Sequence, residues 1–218
     1  MAGREAAARL ALAAAIAAGV SYLAADHLPL TQAASLTWKG AGVGLLTVYA
    51  ALRARSLDGW LLCAVMGFGA AGDVLLGAVS LTVGGVAFFA GHLIAIALYL
   101  KNGRPGRSWG RWVLGALFVL EAANLAYLLP TDRSGTAGIA LYAGVGAAAA
   151  VCAWLSRFPR MWVGLGAMMF LVSDELIFAR MGTLAGAPWV GFAIWALYFG
   201  GQALVCVGVT RSLAETPI

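Results

Sequence analysis

Apolar residues run along this chain in blocks of roughly twenty, separated by short polar or basic connectors. Eight blocks fall at residues 5–25, 35–53, 59–78, 81–100, 110–129, 136–156, 160–180 and 187–210. A helix rises ~1.5 Å per residue, so about twenty residues cross the ~30 Å hydrocarbon core of a bilayer. The pattern predicts an all-α, polytopic membrane protein with eight transmembrane helices in one bundle. Residues 1–218 read as a single transmembrane helical domain, because no polar linker is long enough to separate a second domain from the first. The opening "MAGREAAARLALAAAIAAGVSYLAADH" has the basic start and small-residue end of a signal peptide. The chain continues as further spans of the same kind, so a retained first span is expected.

Composition sharpens this picture. The chain is 62% hydrophobic and 11% charged, whereas soluble domains carry ~25% charged residues. The net charge of +5 does not point to nucleic acid, because the basic residues sit in connectors rather than on one soluble face. Arg4, Arg9, Arg53, Arg55, Lys101, Arg104, Arg107, Arg111, Arg157, Arg160 and Arg211 fall on one side of the predicted membrane. Arg133 and Arg180 fall on the other, and Lys39 lies just inside a span. That bias predicts cytoplasmic N- and C-termini. Richness in Ala, Gly and Arg, with two lysines, suggests a bacterial inner membrane. Cys63, Cys152 and Cys206 are isolated in apolar segments and form no disulfide or metal framework. The tryptophans, mostly near span ends, read as interface anchors.

Ionisable groups within spans are costly and mark sites by default. They are Lys39, Asp73, His92, Glu121, Asp174 and Glu175. Asp73, in "GFGAAGDVLLGAVS", and Asp174, in "GLGAMMFLVSDELIFARM", each lie about 14 residues into spans that run the same way. Both are therefore expected ~20 Å deep, a little beyond mid-membrane. Glu121 and Asn124, one turn apart on span five, are expected to approach the same layer. Lys39 and Tyr142 enter near the outer ends of their spans, and His92, Tyr198 and Gln202 reach the middle. Gly69 and Gly77 flank Asp73 on one helical face, open to another backbone or to a thin acyl chain. A lone Asp reads as a packed structural residue; two at matched depth with these partners read as a site. Glu175 is rotated ~100° from Asp174 and is expected to pair with Arg180 or water. The spans carrying "GDVLL" and "SDELI", followed by "IALYL" and "WALYF", fit either a parallel repeat of four plus four or chance vocabulary.

The candidate chemistry narrows by elimination. With His27 in a loop, two histidines cannot make a tri-histidine metal centre, and no ligand spacing supports another. There is no GxSxG elbow or phosphate loop, and Ser173 has no evident base. Paired carboxylates remain. Two close Asp residues in a low-dielectric layer do not both ionise easily, so one acts as acid and the other as base or electrostatic stabiliser. Such a pair suits a transition state resembling an oxocarbenium ion.

The motifs "GDVLLG", "FFAGHLIAIALY", "GAMMFLVSDELIFA" and "ALYFGGQALV", in that order, resemble the lysoplasmalogenase family of membrane proteins (YhhN-like) over essentially the whole chain. "LTWKGAGVGLLTVYAAL" is similar to the family's lysine segment, with Gly40 in place of its usual proline. Glu175 is a departure, since a small or apolar residue is more usual after the second Asp. The resemblance implies hydrolysis of the vinyl-ether bond of lysoplasmalogens to a fatty aldehyde and glycerophosphoethanolamine or glycerophosphocholine. The residues it carries over are Lys39, Asp73, His92, Asp174, Tyr198 and Gln202. Asp73 and Asp174 would be catalytic, in an order left open, and Lys39 would attract the head group. Glu121, Asn124 and Tyr142 join the substrate-binding set from depth alone. The implied partners are a lysophospholipid and membrane lipid, without nucleic acid, metal or cofactor. Two other readings stand beside it: a lipid or proton-coupled transporter, which also needs intramembrane carboxylates, and a structural scaffold.

Overall fold

The computed structural model describes residues 2–106 and 108–215, so Arg107 lies outside the described residues. Among the described residues there are eight α-helices and no β-strand. They are α1 (Ala2–Ser21), α2 (Gln32–Arg53), α3 (Leu57–Ala78), α4 (Leu81–Lys101), α5 (Trp109–Leu128), α6 (Thr136–Leu155), α7 (Leu165–Arg180) and α8 (Val190–Glu215). A short 3-10 turn, Tyr22–His27, follows α1, and a π-helical turn, Arg160–Gly164, leads into α7. Seven of the helical segments are long and apolar enough to cross a membrane. The eighth, α2, has the length, but Gln32, Ser35, Thr37 and Lys39 make its first half polar. The chain is an integral membrane protein of the helical-bundle class.

Local signals fix the helix starts. The side chains of Thr31, Ser56 and Ser80 accept hydrogen bonds from the backbone N–H groups of Ala34, Gly59 and Val83, which caps α2, α3 and α4. The start of α1, the end of α8 and the connectors α2–α3, α4–α5 and α6–α7 lie at one end of the bundle, the near end. The remaining connectors lie at the far end. Every described basic residue assigned above to the terminus-bearing side sits at the near end, while Arg133 and Arg180 sit at the far end.

Several of those near-end cations lock helices together. Arg4 donates to the carbonyl oxygens of Leu52 at 2.7 Å and Ala51 at 3.2 Å, closing the end of α2. Asp58 accepts from Lys101 Nζ at 2.5 Å and Asn102 Nδ2 at 3.0 Å. Arg157 Nε in turn donates to Asn102 Oδ1 at 2.7 Å, so the α6–α7 connector is tied to α3 and α4.

The packing order repeats between halves. In the first half α1 packs on α2, α2 on α3 and α3 on α4; in the second α5 packs on α6, α6 on α7 and α7 on α8. The halves join where α4 meets α6 and where α8 meets α2 and α3. In the second half α7 and α8 come into backbone contact at Gly166 and Gly201. A Cβ on Gly201 would sit 2.5 Å from the Gly166 carbonyl oxygen, so only glycine lets these backbones cross there. Helix α5 packs on α6 and touches α7, which makes it an edge helix with most of its surface exposed.

Candidate active site

Asp73 stands five residues before the far end of α3, and Asp174 six before the far end of α7. At the helical rise both lie ~8–9 Å below the far end, so each sits a little beyond the middle of a ~30 Å span. Helix α3 begins two residues earlier than the apolar block suggested, which moves Asp73 further along its span.

Each carboxylate is buried and has its own set of partners. Asp73 accepts a hydrogen bond from the Tyr198 hydroxyl at 2.8 Å and faces Lys39 Nζ at 3.6 Å. The Lys39 ammonium also lies 5.9 Å from the centre of the Trp195 ring. Asp174 accepts from the Tyr142 hydroxyl at 2.9 Å, and His92 Nε2 lies 3.9 Å from the same oxygen. Asp73 thus takes Lys39 from the helix before it and Tyr198 from α8, the last helix of the other half. Asp174 takes Tyr142 from the helix before it and His92 from α4, the last helix of the first half. Helix for helix, the two half-sites are related as a four-plus-four repeat requires, although the partners on α4 and α8 occupy positions one turn apart.

That relation revises one element of the repeat. "IALYL" lies toward the near end of α4 and "WALYF" toward the far end of α8, so the two are not equivalent. At equal depth stand Phe88-Phe89-Ala90-Gly91-His92 and Tyr198-Phe199-Gly200-Gly201-Gln202. His92 therefore corresponds to Gln202, and Phe88 to Tyr198.

Aromatic rings fill the space between the two half-sites. Phe170 lies 4.9 Å from the His92 ring and 5.1 Å from the Tyr198 ring, and Phe88 lies 5.7 Å from Tyr198. Below these rings a cavity of about 30 Å³ is lined by His92, Gln202 and Gly69 among others. That volume holds one water, since ~10–15 Å³ of such space suffices. His92 Nε2 is buried and has no hydrogen-bond partner among the described residues, which suits a water there. On its other side, Asp174 and Tyr142 form the polar end of a much larger cleft of about 600 Å³ between α4, α6 and α7.

Three expectations are corrected. Glu121 and Asn124 do not join the carboxylates: both are exposed on α5. The inward seam of that edge helix is Gly115, Ala122 and Ala126, and this stripe of small residues was the sequence signal for its orientation. The Gly69 and Gly77 face is not open to a chain. A Cβ at Gly69 would meet Gln202 Nε2 at 2.9 Å, and one at Gly77 would meet Leu36 Cδ2 at 2.4 Å, so side chains of α8 and α2 already occupy it. Glu175 does not pair with Arg180; its two carboxylate oxygens are buried without a hydrogen-bond partner among the described residues. Ser173 donates to the Ile194 carbonyl at 3.0 Å and joins α7 to α8.

The residues that sequence reasoning missed are aromatic. Phe88 and Phe170 separate the half-sites, and Trp195 is a buried wall behind Lys39 rather than an interface anchor. Trp195 donates to the Gly19 carbonyl at 2.7 Å and stacks on Phe199. The only sequence mark of Phe88 is its position one helical turn before His92.

No curated protein and no solved structure gave a match to the chain. The model of the YhhN family matches residues 34–209, well over half of the sequence, and the chain belongs to that family.

Proposed function

We propose that this YhhN-family protein is a membrane hydrolase that cleaves the vinyl-ether bond of single-chain alkenyl glycerophospholipids. The products are a fatty aldehyde and glycerophosphoethanolamine or glycerophosphocholine. The family includes lysoplasmalogenases. The observation that carries the reading is the pair of buried, depth-matched carboxylates, each held by its own tyrosine. Their depth, ~8–9 Å below the far end, suits the junction of glycerol and chain in a lipid whose head group lies at that surface.

The two half-sites support different roles. Asp73 faces a lysine ammonium and keeps its negative charge; Asp174 opens onto the cleft and carries the proton. The Asp174 proton passes to carbon 2 of the alkenyl chain, and the double-bond electrons form that C–H bond. Carbon 1 and the ether oxygen then share an oxocarbenium charge, which the Asp174 and Asp73 carboxylates oppose. A water adds to carbon 1 and returns one proton to Asp174, with His92 beside the path. The resulting hemiacetal breaks its bond to the glycerol oxygen as its hydroxyl proton passes to that oxygen and its O–H electrons form the carbonyl, giving aldehyde and alcohol with one water consumed. Lys39, near the far end, attracts the phosphate.

The clustering of basic residues at the near end supports cytoplasmic termini, which puts the site in the outer half of the membrane. Composition supports a bacterial inner membrane. The test is a panel of alkenyl, alkyl and acyl lysophospholipids given to purified protein in detergent, without any ion gradient, and read by mass spectrometry. Release of aldehyde from the alkenyl lipid is the expected result. No turnover of any lipid, with lipid or proton movement only under a gradient, would instead identify a transporter.

A further inference from the structure

We infer that the cleft between α4 and α6 seats the hydrocarbon chain of a single-chain lipid, entered sideways from the membrane, with Gly85 and Gly138 setting its bore. The chemistry of the occupant rests on the hydrolase reading above.

Four observations support the seat. The cleft of about 600 Å³ is almost wholly apolar, and its polar groups are placed at its ends. Asp174 and Tyr142 close the inner end, and Ser134 lies at the far-end mouth. Val86 on α4 and Leu141 on α6 stand on the two rims and are 65% and 63% exposed, so in a membrane both rims meet lipid chains. The volume fits one chain: an apolar cavity of ~150 Å³ accepts benzene, so this cleft has room for on the order of twenty-four carbons. That is room for one long chain but not for two side by side.

Gly85 and Gly138 mark the bore. Both line the cleft, and a Cβ added at either would meet no atom within 4 Å. This contrasts with Gly84 next door, where a Cβ would strike the backbone of Leu76 at 2.7 Å. Glycine is the weakest helix former after proline, so its use at an open position inside a helix is not explained by packing. A leucine at Gly85 or Gly138 adds helix propensity and projects toward the far-end mouth. It would narrow the cleft without disturbing the contacts of α4 and α6.

The experiment uses purified full-length protein in detergent micelles and a lysophosphatidylcholine with a diazirine at the end of its acyl chain. Photo-adducts, mapped by mass spectrometry, are expected on the deeper residues that line the cleft, Val86, Phe89, Leu141 and Tyr142. The Gly85→Leu/Gly138→Leu variant should lower adduct yield there roughly tenfold, the weight of about two buried methylenes. It should also shift the preference in hydrolysis toward shorter alkenyl chains. Adducts confined to other helices, or an unchanged yield in the variant, would overturn the seat. If adducts map to the cleft but no lysolipid is hydrolysed, the seat stands and the hydrolase reading falls. If the variant hydrolyses lipids with the wild-type chain preference, the hydrolase reading stands and the seat falls.

Discussion

Replacing Lys39 by methionine should destabilise the bundle far more than replacing Asp73 by asparagine, and the two changes should not add. The ammonium and carboxylate lie 3.6 Å apart, with Lys39 20% exposed and Asp73 2% exposed. At an effective dielectric of about 20 their attraction is about 4–5 kcal/mol, most of it offset by the cost of taking both from water. In Lys39→Met the carboxylate stays buried with only the Tyr198 hydroxyl, a loss of about 3–5 kcal/mol. In Asp73→Asn the amide oxygen still accepts from Tyr198 and Lys39 reaches the surface it already touches, so the loss is about 1–2 kcal/mol. The double variant leaves no buried charge, and the coupling should reach about 2–3 kcal/mol. The assay is reversible unfolding in mixed micelles of wild type, both single variants and the double. A coupling below ~0.5 kcal/mol would show that these two groups do not act as a pair and would refute the assignment of the charged half-site.

Other expectations follow from the same packing. Gly201→Ala forces its new methyl against the Gly166 carbonyl and should cost about 1–3 kcal/mol, whereas Gly85→Ala should be neutral or stabilising by up to ~1 kcal/mol; parallel unfolding curves test both. Glu175→Leu removes an unpartnered buried carboxylate, so it should raise the unfolding midpoint and leave turnover intact. Tyr142→Phe removes the phenol donor to Asp174 and should lower turnover about tenfold with a stability loss of only about 1 kcal/mol, measured by aldehyde release and unfolding together. Asp58→Ala unties Lys101 and Asn102 at the near end and should cost stability without altering the chain-length preference of hydrolysis.

The fold class was legible because period and length alone set it: apolar blocks near twenty residues become helices whose boundaries move by only a few positions. Helix α2 shows the limit, since the lysine that belongs to the site is also what dilutes its hydropathy. The two carboxylates and their partners on α2, α4, α6 and α8 were legible from charge cost and depth. Depth, however, says nothing about azimuth. Glu121 lies in the same layer as the carboxylates but faces away from them because α5 is an edge helix, and only its Gly115, Ala122 and Ala126 stripe carried that information. The glycines mislead for a related reason. Gly77 beside Asp73 looks like a groove in sequence but is filled by Leu36, while Gly85 and Gly138 border open space. Whether a glycine admits a helix, a side chain or a ligand depends on what the neighbouring helix presents. That is a property of tertiary packing.

The central claim is that Asp174 protonates a carbon of the substrate's vinyl ether, and hydrolysis of an alkenyl lysophospholipid in heavy water tests it most directly. The aldehyde, trapped by reduction as it forms, should carry one deuterium at carbon 2, and Asp174→Asn should slow its release by at least about 100-fold. Aldehyde released without deuterium at carbon 2, or at an undiminished rate from a folded Asp174→Asn protein, would contradict it.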